Sequence, residues 1–180
     1  AYMVSVVGTD GTSFVGSPKD FNWSLLNGSV VLSHNASFDE TLYLYGTARG
    51  WWPKISPAAW HCTADMAVYV RLPRALKGAA GEAFGLTVDK STRDNMSGKR
   101  WEEMTDEFRK EVSDYALQDA QLCLDLWDTH HQNWPEHEKA ISVLNRRITQ
   151  RGLPIDAELL KSQLEVINST LFEAEEAIPW

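Results

Sequence analysis

Two short segments of this sequence carry residue types that can hold a divalent metal ion. The first is residues 34–39, which follow the apolar run at residues 30–32 and end at Asp39. The second is residues 115–119, where Tyr115 and Asp119 stand four positions apart in a long helical pattern. Because carboxylates are preferred ligands of Mg²⁺ and similar hard cations, the two segments together predict half of a metal site.

Asp39 is predicted to lie where a buried strand gives way to a helix. Carboxylates at the C-terminal edge of a sheet project into the crevice where open α/β folds usually bind ligands. Asn35, four positions earlier, would hold the turn through its side chain or contact a ligand. Asn, Ser and Asp are also common turn and cap residues after a strand, so this segment alone leaves a structural role open.

Tyr115 and Asp119 are predicted to share one face of the long helix at residues 105–132. Phe108, Val112, Tyr115 and Asp119 fall at i, i+4, i+7 and i+11, which places Asp119 on the apolar stripe. A tyrosine on such a stripe is usually a core residue, and an aspartate one turn later is usually solvated. A carboxylate on a buried face, however, needs a partner or a metal, or its pKa rises.

Two carboxylates do not complete the site that these segments suggest. Two Mg²⁺ ions about 4 Å apart can activate a water and stabilise the leaving oxygen of a phosphodiester. Mg²⁺ takes few ligands from protein and the rest from water and phosphate. Holding a pair of ions still takes about four carboxylates, so Asp39 and Asp119 are too few.

The elements that must position these residues can be predicted from local signals. Residues 2–7 and 12–16 read as a hairpin around the turn at residues 8–11, and residues 30–33 as a third, buried strand. Ser37 is the predicted N-cap of a helix whose apolar stripe holds Phe38, Leu42 and Tyr45. Residues 60–67 read as a strand running into a helix, and further helices are predicted at 75–84, 105–132, 136–150 and from Asp156 toward residue 178.

Residues 87–100 read as a polar, mobile loop with a basic cluster that includes Lys90 and Arg93. We therefore predict an α/β core with a helical C-terminal extension.

Composition restricts the class of protein but not its function. The net charge of −8 argues against a protein that coats nucleic acid, although it allows an enzyme that meets a phosphodiester at a metal site. Cys62 and Cys123 lack metal-type spacing and are predicted to be reduced, structural thiols. No apolar run approaches a membrane span and no signal peptide is seen, so we expect a cytoplasmic protein without a membrane partner.

With Asn35, Phe38 and Asp39 in one segment and Tyr115 and Asp119 in the other, the chain resembles a 3′–5′ exonuclease of the DEDD superfamily, in its tyrosine-bearing subgroup. It is most similar to the proofreading exonuclease domain of family-A, polymerase I-like DNA polymerases of the phage type. The resemblance covers nearly the whole chain. It extends to residues 60–67, 72–77, 83–86, 89–90, 145–147 and 151–156.

The resemblance implies a ribonuclease H-like mixed sheet with flanking helices. It implies an exonuclease domain over residues 1–134 and a helical extension over residues 135–180 that leads toward a polymerase thumb. It makes Asp39 and Asp119 metal ligands for two Mg²⁺ or Mn²⁺ ions, Tyr115 the residue that orients the attacking water, and Asn35 a contact to the terminal nucleotide. The implied partners are a single-stranded DNA 3′ end and a polymerase domain in the same polypeptide.

The chain departs from the family at its first motif, Asp-x-Glu, which lies on a strand upstream of the hairpin in such enzymes. No such motif precedes the hairpin here, and Asp10 lies in the hairpin turn, where it does not substitute. We expect an N-terminally shortened version of a complete enzyme that, as it stands, binds metal poorly and has little or no nuclease activity. The alternatives are an RNA-trimming exonuclease of the same superfamily, or a non-catalytic domain that binds a DNA end or braces a polymerase.

Overall fold

The computed structural model of the chain describes residues 3–86, 95–96 and 99–178. The described chain divides into two compact units, the first ending at Gln150 and the second beginning at Arg151. The predicted basic loop lies mostly outside the described residues, including Lys90 and Arg93.

The first unit begins with the expected hairpin. Strands β1 (Val4–Val7) and β2 (Ser13–Gly16) are antiparallel, with Val4 opposite Gly16 and Val7 opposite Ser13. Asp10 holds the turn, because its Oδ1 accepts hydrogen bonds from the backbone N–H of Thr12 at 3.0 Å and from the Thr12 hydroxyl at 2.6 Å. Such a side chain-to-backbone bond two residues on is typical of Asp in turns.

A second pair of strands follows, and it is parallel. β3 (Val30–Ser33) pairs with β4 (Ala59–Cys62), and α1 (Ala36–Ala48) lies between them in sequence. β4 runs directly into α2 (Thr63–Tyr69), as the sequence predicted. This β-α-β arrangement places the C-terminal ends of both strands at one edge of the sheet, next to the start of α1 and of α2.

The remaining helices of the first unit also agree with the local signals. They are α3 (Leu76–Phe84), which ends at Gly85 with φ 70°, α4 (Asp106–His130) and α5 (Glu136–Arg151). Thr105 caps α4 by accepting a hydrogen bond from the backbone N–H of Phe108. Because α5 up to Gln150 belongs to the first compact unit, that unit extends past residue 134, where the resemblance had placed a domain boundary.

Helix α4 connects most of the first unit. It contacts β1 most extensively, then α3, α2, β2 and β3. Its buried face carries Val112, Leu122, Cys123 and Leu126. The main buried cluster combines this face with α2 and α3 and consists of Met66, Ala67, Ala79, Leu126 and Trp134. Two smaller clusters lie around Cys62 and around Trp52, on the side of the β3–β4 sheet.

Two predictions for α1 were wrong. The N-cap is Asn35 rather than Ser37, and Asn35 adopts the left-handed conformation (φ 73°) without a capping hydrogen bond from its side chain. The predicted apolar stripe is on the outside, since Phe38 is 65% exposed and Tyr45 48% exposed. The buried face instead carries Ala36, Tyr43 and Gly46, because Trp52 lies so close to the helix that only glycine fits at position 46.

The fold class is mixed α/β, as predicted. Within the described residues, however, the strands form two separate two-stranded sheets rather than one continuous sheet. A ribonuclease H-like arrangement therefore remains a prediction.

The second unit is the helix α6 (Ala157–Ala177). Asp156 caps it by accepting a hydrogen bond of 2.9 Å from the backbone N–H of Leu159, as expected. None of its residues is buried. Among the described residues, no helix combines the length and the apolar character needed to cross a membrane.

Candidate functional site

Asp39 lies in the first turn of α1, just beyond the C-terminal end of β3. The residue as a whole is exposed, but its carboxyl group faces an environment that is poor in water. This loss of hydration raises the pKa of Asp39 to about 6, although a hydrogen bond from the Ser33 side chain offsets part of the effect. The hydrogen bond from Ser33 thus offsets only part of the cost of ionising Asp39. A carboxylate in this situation is suited to bind a cation.

Tyr115 and Asp119 are one turn apart on α4, as the spacing predicted. Asp119 Oδ1 is completely removed from solvent, so the prediction that this carboxylate lies on an interior face is confirmed. Tyr115 is half-buried, and the Nζ atom of Lys77 on α3 lies 5.1 Å from the centre of its ring. Between them, the backbone carbonyl of Ala116 accepts a hydrogen bond of 2.9 Å from the hydroxyl of Ser5 in β1.

The thiol of Cys123 lies within electrostatic range of both aspartates. Burial is the main reason that the pKa of Cys123 rises to about 12, and the negative charges of Asp39 and Asp119 both add to the increase. Coulomb interactions weaken with distance, so both carboxylates belong to the same region of the fold as this thiol. The fold thus brings together residues from α1 and α4 that are 80 positions apart in sequence.

A chain of hydrogen bonds fixes this thiol. Cys123 Sγ lies 3.1 Å from Thr63 Oγ1, which lies 3.1 Å from His34 Nδ1, and His34 Nε2 lies 2.7 Å from the backbone carbonyl of Arg74. A carbonyl only accepts, so Nε2 carries the proton, and burial lowers the pKa of His34 and favours the neutral ring. Nδ1 then accepts from the Thr63 hydroxyl, and Thr63 accepts from the protonated Cys123 thiol. Cys123 is therefore a hydrogen-bond donor and not a nucleophile.

Asn35 is not part of the same cavity as these carboxylates. It is exposed and lines a cavity of about 370 Å³ beside α2 and α5, which is also lined by Cys62, Asp65, Arg74 and Ser142. Asp39, Tyr115 and Asp119 are not among the lining residues. The predicted contact between Asn35 and a terminal nucleotide therefore stays a prediction, and the cavity that Asn35 lines does not include the predicted carboxylates.

A buried arginine holds α1 and α5 against β4. Arg146 is only 5% exposed; its Nε donates to Glu40 Oε2 at 3.0 Å, and its guanidinium also donates to the backbone carbonyl of Trp60 and to Ser142. Ser142 in turn donates to Asp65 Oδ2 at 2.6 Å. Burial opposes ionisation of Asp65, but the hydrogen bonds from Ser142 and Arg74 outweigh it and lower its pKa. Since Glu40 follows Asp39, Arg146 fixes the helical turn that carries Asp39.

These residues do not fit a complete pair of metal ions. Asp39 and Asp119 supply two carboxylates, whereas a two-ion site takes about four. Across residues 3–86, 95–96 and 99–178, no group of three or more His, Cys, Asp and Glu side chains is arranged to hold a metal ion.

Sequence reasoning missed Cys123, Thr63 and Arg146 as parts of this region. One signal for Cys123 was available, because it continues the α4 stripe one turn beyond Asp119. Thr63 and Arg146 gave no comparable signal, since each matters through contacts with residues far away in sequence.

Comparison with known proteins adds no relative: no protein-family model matches this sequence, and neither does a curated protein or a solved structure.

Proposed function

We propose that this chain provides part of a 3′–5′ exonuclease site of the DEDD type, which removes nucleotides from the 3′ end of single-stranded DNA in a proofreading context. The observation that carries the proposal is that Asp39, in the first turn of the helix after β3, and Asp119, with one oxygen removed from solvent on α4, both act electrostatically on the Cys123 thiol. The raised pKa of Asp39 and the buried oxygen of Asp119 are further properties expected of carboxylates in an ion-binding site.

The residues take separate roles in this proposal. Asp39 and Asp119 supply negative charge for cations that screen the phosphodiester. Tyr115, one turn from Asp119, has a phenol that can hydrogen-bond a water or a substrate oxygen. Asn35 contacts the terminal nucleotide, and a polymerase domain in the same polypeptide would deliver the 3′ end.

We expect this chain alone to have little activity, because two of the four carboxylates are missing. A second candidate function follows from the same fact: a non-catalytic domain that holds a 3′ end without cleaving it. An RNA 3′ end is the alternative substrate, and discrimination would depend on contacts to the 2′-hydroxyl.

The first experiment locates the metal. Mn²⁺ at millimolar concentration should broaden the amide NMR signals of residues 36–40 and 115–123. The broadening should disappear in the Asp39→Asn, Asp119→Asn double variant and persist in Glu173→Gln, which changes an exposed carboxylate of α6. Broadening that the double variant leaves unchanged would contradict the proposed site.

The second experiment separates cleavage from binding. We would incubate 3′-labelled single-stranded DNA with the protein and Mn²⁺ and follow both release of the label and retention of the oligonucleotide. Slow release that is lost in Asp119→Asn supports the exonuclease, and Mn²⁺-dependent retention without release supports the binding domain. If neither occurs, both candidate functions fail. The same assay with an RNA oligonucleotide tests the alternative substrate.

A further inference from the structure

The helix α6 leaves a large apolar surface exposed. Its large apolar side chains, from Leu159 to Phe172, are between 48% and 65% exposed, and no residue of the helix is buried. Helices in proteins owe most of their stability to the packing of an apolar face, and an exposed apolar patch of this kind marks an interaction site. The apolar face of α6 is therefore a surface that binds a partner.

The apolar residues of α6 repeat with the spacing of a coiled coil. Six of them are separated alternately by three and four positions: Ala157, Leu160, Leu164, Ile167, Leu171 and Ala174. This is the pattern of the a and d positions of a heptad, in which the a and d side chains of two helices interlock. A strict seven-residue repeat keeps the stripe facing one neighbouring helix, so the spacing favours a single helical partner.

The charges beside this stripe indicate that the partner is a second α6. The e positions, which border the stripe, are Lys161, Asn168 and Glu175. In an antiparallel pair of identical helices, the e positions of the two copies face each other. Lys161 then meets Glu175 of the second copy, the reverse pair forms by symmetry, and Asn168 meets its own equivalent. The g positions Gln163 and Thr170 are uncharged, so no like charges oppose each other along this seam.

The same register places large side chains opposite small ones. When Lys161 lies opposite Glu175, Leu164 faces Ala174 of the second copy. Ile167 faces Leu171 in the neighbouring layer. Alternation of large and small residues across facing positions fills the space between two helices. The antiparallel register therefore satisfies packing and charge together.

A parallel pair of α6 helices fits less well. Ala174 would face its own equivalent, which leaves space at that end of the seam. Lys161 would face Asp156, whose carboxylate already accepts a hydrogen bond from the backbone N–H of Leu159 in its own helix. Glu175 would face the uncharged Thr170. The parallel arrangement thus lacks the reciprocal ion pairs of the antiparallel one.

We propose that α6 binds α6 of a second copy of this chain as a short antiparallel coiled coil, which makes the protein a homodimer. The contact is isologous, because both copies use the same surface around a two-fold axis. This dimer does not depend on the proposed nuclease function, since none of the residues assigned to that site belongs to α6.

Sedimentation equilibrium of the full chain at about 1 to 500 µM tests the association, and we expect a dimer with a Kd of micromolar order. Ile167→Ser should raise the Kd by about a hundredfold or more, because it removes a seam side chain from two layers. The matched control is Val166→Ser. Val166 is more exposed than Ile167, at 61% against 51%, but lies outside the seam, so the Kd should change by less than about threefold. Circular dichroism checks that both variants keep their helices.

Charge reversal tests the orientation. Lys161→Glu and Glu175→Lys should each raise the Kd about tenfold, because each creates two contacts between like charges. The double variant should return the Kd to within about twofold of the original value. Glu165→Lys makes the same change of charge at a position outside the seam and should have little effect.

Three results would overturn the proposal. A monomer at every concentration would assign the apolar face of α6 to a different partner. Equal weakening by Val166→Ser and Ile167→Ser would show that a wider surface than the seam is covered. A double charge variant that associates no better than the single variants would exclude the antiparallel pair.

Discussion

The two sheets of this protein are held in different ways. The β3–β4 sheet is enclosed by α1, α2 and α4, and the buried Arg146 of α5 connects Glu40 of α1 with the carbonyl of Trp60 in β4. The β1–β2 hairpin depends mainly on α4, through the Ser5 hydroxyl, with the Phe14 ring resting 5.2 Å from that of Phe21. The strands of the hairpin contain no buried residue, and neither does β3, whereas β4 ends at the buried Cys62.

The difference indicates that the two parts of the candidate site have unequal stability. Asp39 belongs to the enclosed side, and α4 presents Asp119 between the enclosed side and the hairpin. Local stability follows buried contacts, so the hairpin should open more readily than the β3–β4 sheet. Variants that weaken one sheet and not the other test this comparison.

The largest effect is expected from Arg146→Ala, which removes the buried connection in the enclosed region. Its loss leaves Glu40 and the Trp60 carbonyl without their charged donor, so the free energy of unfolding should fall by about 3 kcal/mol. Urea denaturation measures the change. The matched control is Arg147→Ala on the exposed face of α5, for which we expect less than about 0.5 kcal/mol. Equal effects in the two variants would show that the buried network does not stabilise this side.

The next largest loss of stability is expected from Gly46→Ala, with Gly16→Ala as the comparison. In Gly46→Ala, the new Cβ would overlap the ring of Trp52, which is itself buried and donates to the Tyr43 carbonyl at 2.8 Å. Overpacking of this kind costs about 2–3 kcal/mol. In Gly16→Ala of the hairpin, the Cβ would lie 3.2 Å from the tip of the Phe14 ring, which can move. That variant should lose less than about 1 kcal/mol, and the two melting temperatures measured together check the contrast.

Most secondary structure here could be predicted, because its signals are local. Thr105 and Asp156 cap their helices, Gly85 ends α3, and the apolar spacing of α4 placed Asp119 on the interior face. The predicted apolar stripe of α1 was wrong, because the spacing of apolar residues does not show which face packs against Trp52. That face holds small residues, since the Trp52 ring fills the space beside Gly46.

The candidate site was only partly predictable. The sequence indicated Asp39 and Asp119, but not the Cys123 thiol on which both act electrostatically. That thiol is held by Thr63, which is 60 residues away from it along the chain. The sequence did not predict the burial of Arg146 either, because an arginine in an amphipathic helix is usually exposed. Its partners Glu40 and Trp60 are brought to it by the β-α-β arrangement rather than by anything near it in sequence.

A smaller, pH-dependent effect is expected for Asp39→Asn. The native pKa of about 6 exceeds the ordinary value of 3.8, so the native state binds the proton more tightly than the unfolded state. Stability therefore falls as the pH rises from about 4 to 6 and stays lower above that range. For a fully shielded group the difference would be about 3 kcal/mol, and the exposure of this residue reduces it to about 1 kcal/mol.

Asp39→Asn removes this penalty, so it should raise the free energy of unfolding at pH 7.5 and leave it unchanged at pH 4. Urea denaturation at the two pH values measures the gain. Asp128→Asn, at an exposed position of α4, is the control and should change the free energy of unfolding by less than about 0.5 kcal/mol. If Asp39→Asn raised the free energy of unfolding equally at both pH values, the raised pKa of Asp39 and its cause, the loss of hydration, would be contradicted.

The smallest effect is expected from Ser5→Ala, and it tests the hairpin alone. The variant removes the hydrogen bond to the Ala116 carbonyl, which contributes about 1 kcal/mol or less. Because this bond joins β1 to α4, amide exchange should accelerate in Val4–Val7 and Ser13–Gly16 while Val30–Ser33 and Ala59–Cys62 keep their rates. Ser13→Ala, at an exposed position of β2, is the matched control and should change neither sheet. If Ser5→Ala accelerated exchange in both sheets equally, α4 would couple them into one cooperative unit, and the two sheets would not differ in local stability.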